Sequence, residues 1–328
     1  MLAKLQQLKT KVTFASLFKF YDSVAKAIAL PCVGIVMFIF IWQITASNIV
    51  TSLGQFPGPG DVWNQSKVLV TEHYQERERA QKFYERQEIR NTKKLANNPE
   101  TIVKIRQYTG QATYFDKIIT SLYTVAFGFL IATLIAIPLG IACGLSDRIY
   151  RAVNPIIQVF KPVSPLAWLP LVTIVVSATY TSSDPYFEKA FVTSAVTVAL
   201  CCLWPTVVNT IVGVASIDRD LIDVSRVLRL STLAHINSIV IPSALPLIFT
   251  GLRLSLATGW MVLIAAEMLA QNPGLGKFIW DEFQNGSSSS LSRIMVAVIT
   301  IGIIGFILDH LMLMIQKHFS WNKQATLR

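Results

Sequence analysis

The sequence has 328 residues, 52% of them hydrophobic and 15% charged, with a mean hydropathy of +0.50. Water-soluble domains carry about 25% charged residues, so this composition excludes a soluble protein and describes one that crosses a membrane several times. The net charge of +10, from 29 basic and 19 acidic residues, argues against nucleic-acid binding, because the basic residues stand beside the apolar runs without clustering; cytoplasmic flanks of spans favour Lys and Arg.

Residues 1–23 carry Lys4, Lys9, Lys11 and Lys19 between Leu and Phe, and predict a cytoplasmic segment lying on the membrane surface. No small-residue cleavage site follows the first apolar run, so no cleavable signal peptide is expected. Residues 24–46 predict the first transmembrane helix, long enough for a hydrocarbon core of about 30 Å. An external insertion, residues 47–117, comes next. Gln55-Phe56-Pro57-Gly58-Pro59-Gly60 breaks the helix, and the charged stretch 62–108 predicts one or two exposed helices held by i,i+4 pairs. Two readings of this stretch stand side by side: a solvated spacer, or a platform for a soluble partner.

Residues 118–316 form a five-helix core. Its spans are expected at 118–145, 162–180, 190–214, 245–269 and 294–315. Arg148, Arg151 and Lys161 mark the connector 146–161 as cytoplasmic. Pro162, Pro165 and Pro170 crowd into the third span, which a bundle tolerates where neighbours satisfy the freed carbonyls. The cytoplasmic tail is 317–328, and six spans put both termini inside with residues 146–161 and 215–243.

The loop 215–243 holds a short polar helix between two spans. Asp218 is the expected N-cap. Asp223 and Arg226 are spaced to meet on one face, while Leu221, Val224 and Leu228 form an apolar stripe without a partner in so short a segment. Such a peg either docks on something outside the bilayer or lies on lipid headgroups. The sequence has no G-x-x-x-x-G-K-[ST] phosphate loop, nucleophile elbow or carboxylate pair, so it predicts no enzyme. Cys32, Cys143, Cys201 and Cys202 lie in apolar runs as packing residues, and His73, His235, His310 and His318 make no metal-ligand pattern.

The run LIDVSRVLRL, followed by IVIPSALPLIFTGLRLSLATGWMVLIAAEML, resembles the cytoplasmic loop and fifth span of ABC-importer permeases. Asp223, Val224 and Ser225 stand at the acidic-small-small positions, Ile241-Pro242 at the turn, and Arg229 where those permeases have a glycine. FKPVSPLAWLPL (160–171), WPTVVNTIVGV (204–214) and AAEML followed by GLGKFIWDEFQNGSS extend the likeness in order across residues 118–316. They resemble the nitrate, sulfonate, taurine and bicarbonate group, and the nitrate branch above the others. The resemblance implies an all-α membrane protein of the type I ABC-importer permease kind, with a cytoplasmic coupling helix. It implies a bacterial inner-membrane subunit that moves nitrate or nitrite. The partners implied are a second permease copy, two ATP-binding cassette subunits that bind ATP and Mg, and a periplasmic or lipid-anchored nitrate-binding protein. The alternatives are the same architecture carrying bicarbonate, cyanate or a sulfonate, and a secondary anion transporter or channel.

Residues 217–230, with Asp218, Leu221, Asp223, Val224, Ser225, Arg226, Leu228 and Arg229, are the expected ATPase contact. Ser164, Trp168, Trp204, Thr206, Asn209 and Trp260 are candidate path residues, offering neutral donors or serving as core fillers. Glu267, the one acid of the fifth span, is either an interface carboxylate or a gate. Arg253 is expected toward the cytoplasmic face, out of reach of Glu267 on the same helix. Basic residues are otherwise nearly absent between span ends, so weak holding of the anion by neutral groups is predicted.

Overall fold

The computed structural model describes residues 29–51, 54–98, 103, 105–180 and 187–319. The expected segment 1–23, most of the turn after the third span and most of the tail lie outside the described residues. Helix α1 (Ala29–Asn48) is apolar and almost wholly exposed, as suits a helix whose environment is lipid. Trp42 Nε1 donates to Pro57 O at 3.2 Å and ties its end to the loop that follows. A two-residue hairpin, β1 (Val50–Thr51) and β2 (Gly54–Gln55), pairs Val50 with Gln55 and Thr51 with Gly54 in antiparallel register.

The charged insertion is one helix, α2 (Pro59–Asn97), of 39 residues, about 58 Å long. Pro59 at its first position and Asp61 bonded back to the Gly58 N–H at 2.9 Å start it. The helix does not stand free of the core. Glu72 accepts from Arg293 at 3.0 and 2.8 Å, His73 Nδ1 lies 2.8 Å from Thr113 Oγ1, and Arg77 pairs with Asp116. The returning chain bonds along α2: Gln87 Oε1 accepts the Arg106 N–H at 2.9 Å, and Tyr108 donates to Glu76 at 2.8 Å. That carboxylate raises the Tyr108 hydroxyl above the usual phenol range.

Helix α3 (Tyr114–Leu145) starts in a capping box, with Asp116 Oδ2 accepting the Thr113 N–H at 2.9 Å. Helices α4 (Asp147–Phe160) and α5 (Pro165–Thr179) then meet at a bend of 101°. The third span differs here from the sequence expectation of 162–180. The apolar run is divided between two helices, because Pro162 and Pro165 cannot continue α4 and Pro165 instead opens α5. The 15 residues of α5 cover about 22 Å, short of a hydrocarbon core of about 30 Å. Five other helices are long and apolar enough to cross alone.

Helix α6 (Lys189–Ala215) is the central member, packed between α3 and α9 (Ile241–Ala270). The coupling loop between α6 and α9 folds as α7 (Arg219–Val227), α8 (Thr232–His235) and a π turn (Ile236–Val240) that runs straight into α9. Helix α10 (Leu275–Asn285) caps the outer end and α11 (Ser290–Phe319) completes the bundle. The core fills where α3, α6 and α9 meet, around Val125, Val198, Cys202, Leu256 and Leu263. A satellite of Ala136, Cys143, Ile157 and Val207 fastens α4 beneath it.

Hydroxyls inside the helices bond their own backbone. Thr124, Thr197 and Thr210 each donate to the carbonyl four residues back, at 2.7–2.8 Å, which removes the cost of an unpaired polar group in lipid. The helices approach closely because side chains are missing at the crossings: a Cβ at Gly128 would lie 2.6 Å from Ala195 O, and one at Gly251 2.7 Å from Asn209 Cβ. Gly128→Ala is therefore expected to destabilise the solubilised protein by about 1–3 kcal/mol, the usual cost of overpacking. Gly302→Ala, where the added carbon meets open space, should leave the melting temperature unchanged or raise it; equal losses at both sites would remove the packing argument.

Candidate functional site

In the loop between α6 and α9, Asp218 caps α7 by accepting the Asp220 N–H at 3.2 Å, and Arg226 Nη1 donates to Asp223 Oδ1 at 3.0 Å. Ser225 is the buried residue of α7, and its Oγ lies 2.8 Å from His235 Nδ1. That contact fastens α7 to α8. The apolar side chains of α7 beside it are bare: Leu221, Val224 and Leu228 are 43–63% exposed and Val227, which the sequence reading passed over, is 81% exposed. Between α7 and the ends of α3 and α6 lies a cavity of about 710 Å³, lined by Gly144, Val214, Arg229 and His235.

Arg229 explains why related loops have glycine at its place. Its N–H bonds to Arg226 O at 3.1 Å and the next N–H, of Leu230, to Ser225 O at 3.2 Å. Those two bonds are a Schellman closure, which requires a left-handed residue between them, and Arg229 takes φ 47°. A non-glycine residue there costs about 1 kcal/mol or more. Arg229→Gly should keep α7 folded and hold or raise the melting temperature, whereas Arg229→Val should lower it, because a β-branched side chain tolerates this conformation worst.

Of the candidate path residues, five stand along α5 and α6. Ser164 is the exposed N-cap of α5 and makes no side-chain cap bond. Trp168 and Trp204 both pack on Phe160, at 5.5 and 6.1 Å between ring centroids, the second pair within 7° of parallel. Trp204 Nε1 and Thr206 Oγ1 are buried without a hydrogen-bond partner. Asn209 donates to Pro205 O at 2.8 Å. The other two lie apart. Trp260 is a core filler whose Nε1 donates to Ile301 O at 3.0 Å, joining α9 to α11.

Glu267 is fully buried at the outer end of α9. Ser121 Oγ lies 2.9 Å from both of its carboxylate oxygens, and the Gly276 N–H donates to it at 2.9 Å. The Leu275 N–H in turn donates to Ser121 Oγ at 2.9 Å. The carboxylate thus serves the opening turn of α10, whose N–H groups lack helical partners, and binds α3, α9 and α10 together. Gly274 is required beside it, since a Cβ there would collide with the carboxylate. Glu267→Gln and Ser121→Ala should each lower thermal stability. Their effects should fall short of additivity by about 0.5–3 kcal/mol, as for residues of one network; strictly additive losses would mean that the two act separately.

Two charges that sequence reasoning did not connect meet inside the membrane. Arg253 of α9 pairs with Asp309 of α11, its Nη2 donating to Oδ2 at 2.8 Å and its Nε to Oδ1. The π turn and α8 lengthen the helical run before α9, and Arg253 stands within the first half of α9. The partners are 56 positions apart, and nothing in spacing announces such a pair.

The family of binding-protein-dependent transport system inner membrane components matches residues 136–321, more than half of the chain. The chain belongs to that family. It is a permease subunit of an ABC importer, a multi-pass protein of the inner membrane. A nitrate import permease of Leptolyngbya laminosa is 38% identical over 207 residues, which are 62% of this chain and 69% of that protein. A bicarbonate transport permease of Synechococcus elongatus is 32% identical over 291 residues, 88% of either chain. The fold is similar to that of the MetNI methionine ABC transporter in an inward-facing form, with a TM-score of 0.53 and 15% identity over 63% of this chain and 95% of that one. The all-α architecture is accordingly that of type I importer permeases.

Proposed function

We propose that this permease carries nitrate, or nitrite, from an external binding protein across the inner membrane, driven by ATP hydrolysis in separate subunits. The observation that carries the coupling half of this reading is the bare apolar face of α7, Leu221, Val224, Val227 and Leu228, held outward between two spans. An exposed stripe on a helix fastened at its back is suited to a cleft on a soluble partner. Two ATP-binding subunits, one for each of two permease copies, would take these helices, with Asp223, Arg226 and Arg229 at the rim. Nitrate as cargo rests on the likeness to nitrate permeases, 36–40% identical. Bicarbonate is the second reading, favoured by relatives matched along 88% or more of their length.

Both termini would be cytoplasmic, with α2 and α10 outside, where the binding protein docks. Trp168, Trp204, Thr206 and Asn209 would line the way in, Trp204 and Thr206 offering donors that the chain itself leaves unused.

Burying one Leu side chain contributes roughly 1.5–3 kcal/mol, and a carboxylate forced into the same apolar cleft costs more. Leu228→Asp is therefore expected to insert in the membrane normally but to lose the co-purifying ATPase and, with it, uptake. An intact and active Leu228→Asp complex would assign the stripe to some other surface. In the wild-type complex, nitrate-loaded binding protein should stimulate ATP hydrolysis at least ten-fold more than nitrate alone.

A further inference from the structure

Arg253 lies in the middle of α9, about 18 Å from Ile241 and about 25 Å from Ala270 along the axis. Asp309 lies about 28 Å from Ser290 and about 15 Å from Phe319 in α11. Within the described residues of α1, α3, α6, α9 and α11, the other Lys and Arg are Lys117, Lys189, Arg293 and Lys317. Each stands within four residues of a helix end, where it reaches the interface. Arg253 stands farthest from a helix end among them.

The pair is not enclosed by its own chain. The Arg253 and Asp309 side chains are 38% and 35% exposed, among exposed Leu254, Met261, Phe306 and Ile307. A charged pair open to hydrocarbon is expensive, and an apolar pair would hold α9 to α11 at least as well. Retaining it makes sense where the pair faces water in a path or a second protomer bordering one. The carboxylate on Arg253 is also informative in itself. Two oxygens of a planar anion sit against Nε and Nη2, the fork-to-fork geometry that guanidinium offers to any planar oxyanion.

We infer that Arg253 receives the transported oxyanion within the membrane, taking it in exchange for Asp309. The inference rests on the reading of the chain as an oxyanion importer, and names the residue that meets the cargo. Nitrate and bicarbonate are planar and singly charged, and each presents the same edge of two oxygens as the Asp309 carboxylate. The exchange leaves the guanidinium paired at every stage, and the released Asp309 carboxylate, 35% exposed in this chain, has to turn to water in the path, since a bare charge in a low-dielectric interior is costly. It also keeps the holding weak, because the anion gains only what Asp309 gives up. A conduit needs that, since a tight site would trap its cargo.

The test uses the complete transporter in proteoliposomes with its loaded binding protein, measuring nitrate and bicarbonate uptake together with complex assembly. Arg253→Gln leaves Asp309 unpaired and should lose both uptake and stability. The double variant Arg253→Gln with Asp309→Asn removes both charges at nearly constant shape. It should recover stability and assembly, yet remain at least ten-fold below wild-type uptake. Asp309→Asn alone removes the competitor, so half-saturation should fall several-fold and the maximal rate with it. Wild-type uptake by the double variant, or an unchanged half-saturation in Asp309→Asn, would show that the pair is only a clasp and overturn the inference. A wild-type complex that moves neither anion would overturn the importer reading itself, and this inference along with it.

Discussion

The structure depends on how closely α6 can lie between α3 and α9. Lipid offers no hydrophobic gain for bringing two apolar helices together, so contact itself has to supply the attraction. Gly128 and Gly140 give that contact on the α3 side, and Gly251 on the α9 side, each placing a neighbour where a Cβ would stand. Ser255 Oγ adds a bond to Cys202 O at 2.5 Å, and Cys202 Sγ returns one to Ser255 O at 3.2 Å. Thr197 and Thr210 of α6 instead spend their bonds on their own helix, which leaves that part of the crossing faces smooth.

That three-helix contact fixes what hangs from it at either end. Helix α7 lies between the end of α6 and the start of the α8 run, two segments that the bundle already holds. Ser225 and His235 close the loop across its base. At the other end Glu267 ties α9 to α3 through Ser121 and to α10 through Gly276. Helix α2 is drawn onto the same corner by Arg293, which pairs with both Glu72 and Glu282. Helices α2 and α10 at one end and α7 at the other are thus joined through α9, an unbroken helix of 30 residues. Helices of this kind move as units more readily than they bend.

Much of this was legible in the sequence, for a physical reason: long apolar runs in lipid have only the helix open to them. The capping residue Asp218, the Asp223–Arg226 pair and the bare stripe of α7 follow from spacing along one helix. What escaped needed the third dimension. Pro162, Pro165 and Pro170 were visible, but whether neighbours would mend the helix or let it break is decided by α4 and the floor formed by Ile157 and Val207. Arg229 looked like a degraded motif position until its left-handed backbone gave the missing glycine a purpose. Asp309 was passed over because an acid near the end of a span reads as interfacial, and its partner is on another helix.

Charge along the membrane normal follows a consistent plan. Near the helix ends, cations pair with carboxylates in fixed clusters: Arg293 with Glu72 and Glu282, Arg77 with Asp116, Arg151 with Asp147. These exposed or rim pairs contribute little energy each, but they orient the elements that carry them. In the middle a single pair stands, and there the balance of effects reverses. Desolvation makes each charge costly alone and the pair strong together, so whatever separates Arg253 from Asp309 must bring a replacement charge. A neutral molecule of similar size cannot do so. On the inference drawn above, the cost of parting the two charges would favour an anion over a neutral molecule without any need to hold it tightly.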